Sequence, residues 1–201
     1  MPKIVDHDKQ KQLVAEAALR LIQQAGLEQA TVRNVAVEAG LSAGSLRHYF
    51  HSQVELYAFC MNIFVQRVEE RVQAFRFEGA ILHDLKRLLL HLLPMDEERT
   101  VEMEVWYSFN AKARIHPELR PLSEEMQASL YRVSEFVIQS LLDHKLAKPE
   151  INSELEAEKL YALVDGLAIH QFMQPGRLSA QRLEEILDQH LNMLCGQSGE
   201  L

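Results

Sequence analysis

The sequence has 201 residues, 47% of them hydrophobic, enough to bury a substantial core in one domain or in one large and one small domain. Its formal net charge of −8 argues at first against nucleic acid, because affinity for DNA comes largely from cations that neutralise phosphates. No apolar run approaches the roughly 18 residues of a membrane span, the stretch MPKIVDHDKQ carries charges where a signal peptide is apolar, and Cys60 and Cys195 form no CxxC, so a cytoplasmic protein without membrane partner, disulfide framework or zinc module is expected.

In chain order almost everything reads as helix. Val14, Ala17, Ala18, Leu21, Ile22 and Ala25 lay one apolar stripe along a first helix, which Gly26 stops and Leu27 closes. Thr31 caps a short second helix with Val32, Val35, Ala36 and Ala39 on one side, ending at Gly40. Ser42 caps a third, and the pair Ser52 and Glu55 opens a long fourth helix through about Phe75. Leu82, Leu85, Leu89 and Leu92 mark a fifth, stopped before Pro94; Asp96 caps a sixth carrying Val101, Val105 and Phe109. Pro117 opens a seventh with Met126, Leu130, Val133, Val137 and Leu141 along one face. An eighth runs from the capping box Ser153 to Glu156 up to Pro175 and Gly176. A ninth starts near Ser179 and carries Leu183, Ile186, Leu187, Leu191 and Leu194. The fold class expected is all-α, with about nine helices. Residues 1–51 are expected to form a three-helix head and residues 52–201 a helical body, with the helix at 52–75 connecting them.

The segment TVRNVAVEAGLSAGSLRHYF, Thr31 to Phe50, has the spacing of a helix-turn-helix. Ala36 is small where the two short helices cross, and Gly40 permits the positive φ of the turn. Leu46 and Phe50 turn inward, which leaves Ala43, Gly44, Ser45, Arg47, His48 and Tyr49 around the outer and N-terminal surface. A helix held by its back offers its first N–H groups to phosphates, Arg47 can bond a guanine edge, and His48 and Tyr49 can reach base or phosphate. Short helical corners without a DNA role have the same spacing. Charge distribution favours the DNA reading: residues 1–53 hold six Lys/Arg against five Asp/Glu, so the acidic excess lies in the body.

The run GLEQATVRNVAVEAGLSAGSLRHYFHSQVEL, residues 26–56, resembles the N-terminal signature of TetR-family transcriptional regulators. The resemblance implies a homodimer that reads an operator in double-stranded DNA with its third helix, holds a small-molecule effector in its body and dimerises through its last two helices. It carries DNA contacts onto Thr31, Arg33, Ser42, Ala43, Gly44, Ser45, Arg47, His48 and Tyr49. The family usually has Lys at the start of the fourth helix; here Gln53 stands there, so a phosphate contact would be neutral and weaker, with His51 as a partial replacement. The stretch YALVDGLAIHQFMQP, Tyr161 to Pro175, is similar to the eighth helix of the branch that includes the choline-responsive repressors. Ala162 and Gly166 would let two helices approach closely, and with His170, Leu183, Ile186, Leu187, His190 and Leu191 they make the expected dimer seam. An ordinary intramolecular core is the alternative for the same stripe.

MEVWYSFNAKARIHPEL, Met103 to Leu119, holds the single tryptophan. Met103, Trp106, Tyr107 and Asn110 are the candidate effector pocket, though core with a polar end explains them equally well. His48 and His51, three apart, are better explained by DNA than by metal, and none of the other histidines has a helical i, i+4 partner. Paired acids such as Glu69–Glu70 and Glu124–Glu125 splay apart on a helix and read as solvated faces. No HExxH, phosphate-binding glycine loop or nucleophile elbow is present, so neither catalysis, cofactor nor metal is expected. A helical small-molecule binding or interaction protein without DNA readout is the alternative function.

Overall fold

The structure, a computed structural model, describes residues 7–196. Among them nine α-helices follow one another: α1 (His7–Ala25), α2 (Val32–Glu38), α3 (Ala43–Arg47), α4 (Gln53–Ala74), α5 (Ile81–Leu90), α6 (Glu97–Ile115), α7 (Arg120–Asp143), α8 (Ser153–Met173) and α9 (Ala180–Leu194). Short 3-10 turns at Leu27–Gln29 and Pro117–Leu119 precede α2 and α7. Pro117 thus opens a turn that runs into α7 at Arg120 rather than the helix itself.

Local capping chemistry sets most of the boundaries. Thr31 accepts the Asn34 N–H at 3.1 Å, Ser42 the Ser45 N–H at 3.0 Å, Ser52 the Glu55 N–H at 3.1 Å and Ser179 the Arg182 N–H at 3.1 Å. Asp96 does the same for Arg99 at 2.9 Å. At α8 the cap is Asn152, not Ser153: Asn152 has the extended backbone a cap requires, with φ −83° and ψ 104°, and accepts the Leu155 N–H at 3.1 Å. Ser153 is already the first helical residue.

The chain divides into two compact units that do not part at residue 51. One comprises Met1–Glu69 with Glu104–Ser123, the other Glu70–Met103 with Glu124–Leu201. The physical reason lies in what the first unit buries. Its interior takes Val14, Ala17, Ala18, Leu19 and Ile22 from α1, Val35 and Ala36 from α2, and Leu46 from α3. It also takes Leu56, Tyr57, Cys60, Met61 and Phe64 from α4, and Val105, Phe109 and Ala113 from α6. The first three helices alone have too little apolar surface for such a core, so the larger parts of α4 and α6 complete it. On α1 the inward face includes Leu19, while Leu21 is half-buried and Ala25, the last helical residue, is exposed.

In the second unit the core is a helical bundle. Leu85, Leu88, Leu89 and Leu93 from α5 and its following turn meet Val137, Ile138 and Leu141 of α7, Ala157, Leu160, Val164, Leu167 and Ala168 of α8, and Leu183, Leu187, Leu191 and Leu194 of α9. Each fully buried leucine contributes roughly 1.5–3 kcal/mol. Asp84 is also wholly buried, and its carboxylate accepts the N–H groups of Glu78 at 2.8 Å and Gly79 at 3.1 Å. The end of α9 is tied down: Lys148 donates from its backbone to Leu194 O at 2.9 Å and from Nζ to Met193 O at 2.7 Å, beside an antiparallel bridge between Ala147 and Cys195.

Candidate nucleic-acid interface

The turn between α2 and α3 is built on Gly40. With φ at 67°, Gly40 donates to Val37 O at 3.1 Å, and Leu41 donates back to Ala36 O at 2.8 Å, the paired bonds of a Schellman cap. A residue with a Cβ is strained at that φ, so the sharp corner follows from this glycine. Beyond it, Leu46 and Phe50 are buried, and the Phe50 ring lies 4.9 Å from that of Phe59 on α4. α3 is thereby held by its inner side. With five residues it has little summed dipole, so individual side chains and first-turn N–H groups carry its polarity.

The residues expected to meet DNA divide by exposure. Arg33, Ser42, Ala43, Gly44, Arg47, His48 and His51 are exposed; Thr31, Ser45 and Tyr49 are half-buried. The Tyr49 hydroxyl donates to Gln10 Oε1, which fastens the end of the corner to α1. Electrostatics leave the positive charges open. Glu28 is paired with Lys112 of α6 at 2.6 Å and Glu38 with Arg20 of α1 at 2.7 Å, whereas Arg33 and Arg47 have no ion-pair partner among the described residues. Two acids beside the corner are thus neutralised and two arginines are available, although the whole chain is acidic.

Gln53 departs from the expectation of a neutral phosphate contact. Its Oε1 accepts the Val32 N–H at 3.2 Å and its Nε2 donates to Ala30 O at 2.7 Å, so the amide is turned into the protein. Next to it, Glu55 Oε2 accepts the His51 N–H at 2.8 Å, closing the capping box one residue further out than the usual pattern.

The four residues expected to line an effector pocket do not all belong to one compact unit: Met103 lies in the second, Trp106, Tyr107 and Asn110 in the first. All four are half-buried. Asn110 is engaged at both ends, donating to Trp106 O at 2.8 Å and accepting from the Ser123 hydroxyl at 2.6 Å. Its amide therefore serves the fold.

On the expected dimer seam the structure separates two groups. Ala162 and His170 are exposed, and Gly166, Ile186 and His190 half-buried, beside Met173 and Met193, which are largely open to solvent. Leu183, Leu187 and Leu191 instead lie wholly inside the chain's own core, which corrects the expectation for them: a side chain already covered by α5, α7 and α8 has no surface to offer a second copy. The His190 Nε2 is buried without a hydrogen-bond partner among the described residues, and burial holds the pKa of this imidazole below its ordinary value.

A polar pair that the sequence did not announce sits in the second unit. Arg71 grips Glu102 with two bonds of 3.0 and 2.6 Å, and that hydrogen bonding raises the arginine pKa further. His91 is pushed the other way, by burial first and then by Arg99, Arg71 and Arg87. The partners are 31 positions apart, so no short-range pattern in the sequence marks them. Burial drives the Cys60 thiol up to about 12, so it stays protonated and inert. Among the described residues no group of His, Cys, Asp and Glu is placed to hold a metal ion, and no helix is long and apolar enough to cross a membrane.

Comparison with known proteins agrees with this arrangement. Residues 14–58 match the family profile for bacterial regulatory proteins of the tetR family, and residues 82–196 match that for the C-terminal part of BetI-type transcriptional repressors. The HTH-type transcriptional regulator PksA of Bacillus subtilis (strain 168) is 38% identical over 196 residues, covering 97% of this chain and 94% of that protein. A transcriptional regulator from Rhodococcus sp. Rha1 superposes with a TM-score of 0.77 at 29% identity, covering 92% of this chain and 95% of that one. A regulator from Saccharomonospora viridis, solved in complex with choline, has a TM-score of 0.73 at 20% identity, with 92% and 95% covered.

Proposed function

Since the chain belongs to the TetR family of bacterial regulatory proteins, with a C-terminal half of the BetI repressor type, we propose that this DNA-binding transcriptional regulator works as a homodimeric repressor of a near-palindromic operator and is released by a small-molecule effector. The observation that carries the reading is the corner at α2 and α3: Leu46 and Phe50 anchor it from behind, while Arg33, Arg47 and His48 stand exposed. Arg47 reads a base edge, and Arg33, His48, His51 and the small residues Ser42, Ala43, Gly44 and Ser45 seat the backbone against phosphates. Thr31 and Tyr49 support both.

A second copy places two corners about 34 Å apart, one DNA turn, which is why the operator should be two-fold symmetric. The seam uses Ala162, Gly166, Ile186, His170 and His190 with the open methionines of α8 and α9. Effector binding against Trp106 and Tyr107 of α6 favours a different spacing of the two corners and costs operator affinity about 1–3 kcal/mol. The protein acts by binding alone, in the cytoplasm, without a catalytic step.

The test is selection from a random duplex library. A recovered site with two-fold symmetry, bound tightly at low salt and more weakly as salt rises, is the expected result. Failure to enrich any symmetric site would sink the proposal. Choline, the ligand of the Saccharomonospora viridis regulator, is the first effector to add to that complex.

A further inference from the structure

The turn that starts α2 has its polar groups satisfied almost entirely from within. Thr31 donates from its backbone to Gln29 O at 2.8 Å, its hydroxyl caps Asn34, and the Asn34 amide donates to Gln29 O at 3.0 Å. Two groups remain on either side of Thr31, the buried Ala30 carbonyl and the Val32 N–H, and one side chain from α4 serves both. The Gln53 amide presents an acceptor to one and a donor to the other, as a neighbouring peptide group in a sheet would.

From this we infer that Gln53 is a positioning residue for DNA reading: it seats the start of α2 on α4 and fixes Thr31 and Arg33 for docking without touching phosphate itself. Only a primary carboxamide on a two-carbon stem meets the geometry. A lysine at the same place donates but cannot accept; a glutamate accepts but cannot donate; an asparagine is one methylene short. Apolar packing between helices tolerates sliding. Two directional bonds of 3.2 and 2.7 Å do not.

The inference rests on the operator-reading role proposed above. Its test uses the full-length protein and a duplex that the unaltered protein has enriched from a random library, beside a scrambled duplex of equal length. Gln53→Met keeps the stem and removes both bonds. Operator affinity should fall about tenfold, the cost of two neutral hydrogen bonds that docking must now supply, while affinity for the scrambled duplex and the slope of affinity against salt stay as they were. Gln53→Lys should lose the same selectivity and steepen the salt slope by about one, as a new cation nears the phosphates. Amide exchange gives an independent readout without DNA: the Val32 N–H should lose protection in Gln53→Met, with Ile22 on α1 as the unchanged reference. If Gln53→Met yields too little folded protein, Gln53→Lys carries that measurement, since a lysine cannot accept from the Val32 N–H and should likewise lose its protection.

Equal losses on both duplexes, with Gln53→Lys tightening both, would mean that Gln53 is a phosphate contact after all. An unchanged operator affinity or an unchanged Val32 protection would equally overturn the inference. A failure of the unaltered protein to enrich any site would instead remove the operator reading on which it stands, and the two failures are thus told apart.

Discussion

Replacing Asp84 by alanine removes the one carboxylate that is wholly buried among the described residues of the second unit. Its Oδ2 accepts two backbone N–H groups, from Glu78 at 2.8 Å and Gly79 at 3.1 Å, and its Oδ1 accepts from Arg87 at 3.2 Å. Bonds to a charged acceptor are worth about 1.5–3 kcal/mol each, but the three losses do not add fully. Glu78 and Gly79 are exposed and recover water, and Arg87 keeps Glu78 at 3.0 Å and the Phe75 ring at 5.2 Å. A net loss of about 3 kcal/mol follows, the low end for breaking a buried pair. Asp84→Asn retains an acceptor for the loop and should lose about half as much. Urea unfolding followed by far-UV circular dichroism, at fixed protein concentration, converts 3 kcal/mol into a midpoint shift of roughly 1–2 M for a slope near 2 kcal/mol per M. A loss under about 1 kcal/mol for Asp84→Ala, or equal losses for both variants, would refute the account of the carboxylate as the clamp of the 78–84 loop.

Arg47→Ala should weaken operator binding by about 1–3 kcal/mol and relax preference at one base pair per half-site, read by selection with the variant; a loss uniform over all sequences would make Arg47 a phosphate contact. The imidazoles of His91 and His190 are held below their ordinary value, chiefly by burial, so the unfolded chain takes up protons near pH 6.5 and the folded chain only further down. Their contribution is therefore present above pH 6.5 and lost as pH falls toward the folded values, and the Tm of a His91→Gln, His190→Gln double variant should vary less between pH 7.5 and 5.5 than that of the parent, in units set by about two protons. Gly40→Ala should cost about 1–2 kcal/mol although no atom lies within 4 Å of the added Cβ, because the cost is in the φ of 67°; Gly40→Asn should be milder, and equal melting temperatures for all three proteins would contradict this.

The reading head was legible because its code is local. Thr31, Ser42 and Ser52 each bond a backbone group three residues on, and Gly26 and Gly40 each set a positive φ at a helix end, so a short window of sequence contains cause and effect. Ser153 misled by the same logic, since Asn152 one step earlier is an equally good cap. Where the cause lies far along the chain the pattern was silent. The stripe on α9 announces a covered face but not the cover, and Leu183, Leu187 and Leu191 turned out to be covered from within. The Gln53 amide spans 21 and 23 positions to its partners, and the Arg71 and Glu102 pair spans 31; neither separation leaves a periodic trace.

Two helices change compact unit partway along their length, α4 after Glu69 and α6 after Met103. A single crossover at residue 51 therefore separates the reading head from residues that complete its core. A segment ending at residue 51 would leave behind Leu56, Tyr57 and Cys60, together with Phe109 and the lysine that pairs with Glu28. Exchange of operator preference by recombination would have to carry two separated stretches at once. New operator preferences should accordingly come more readily by point substitution on the exposed side of α2 and α3 than by exchange at residue 51.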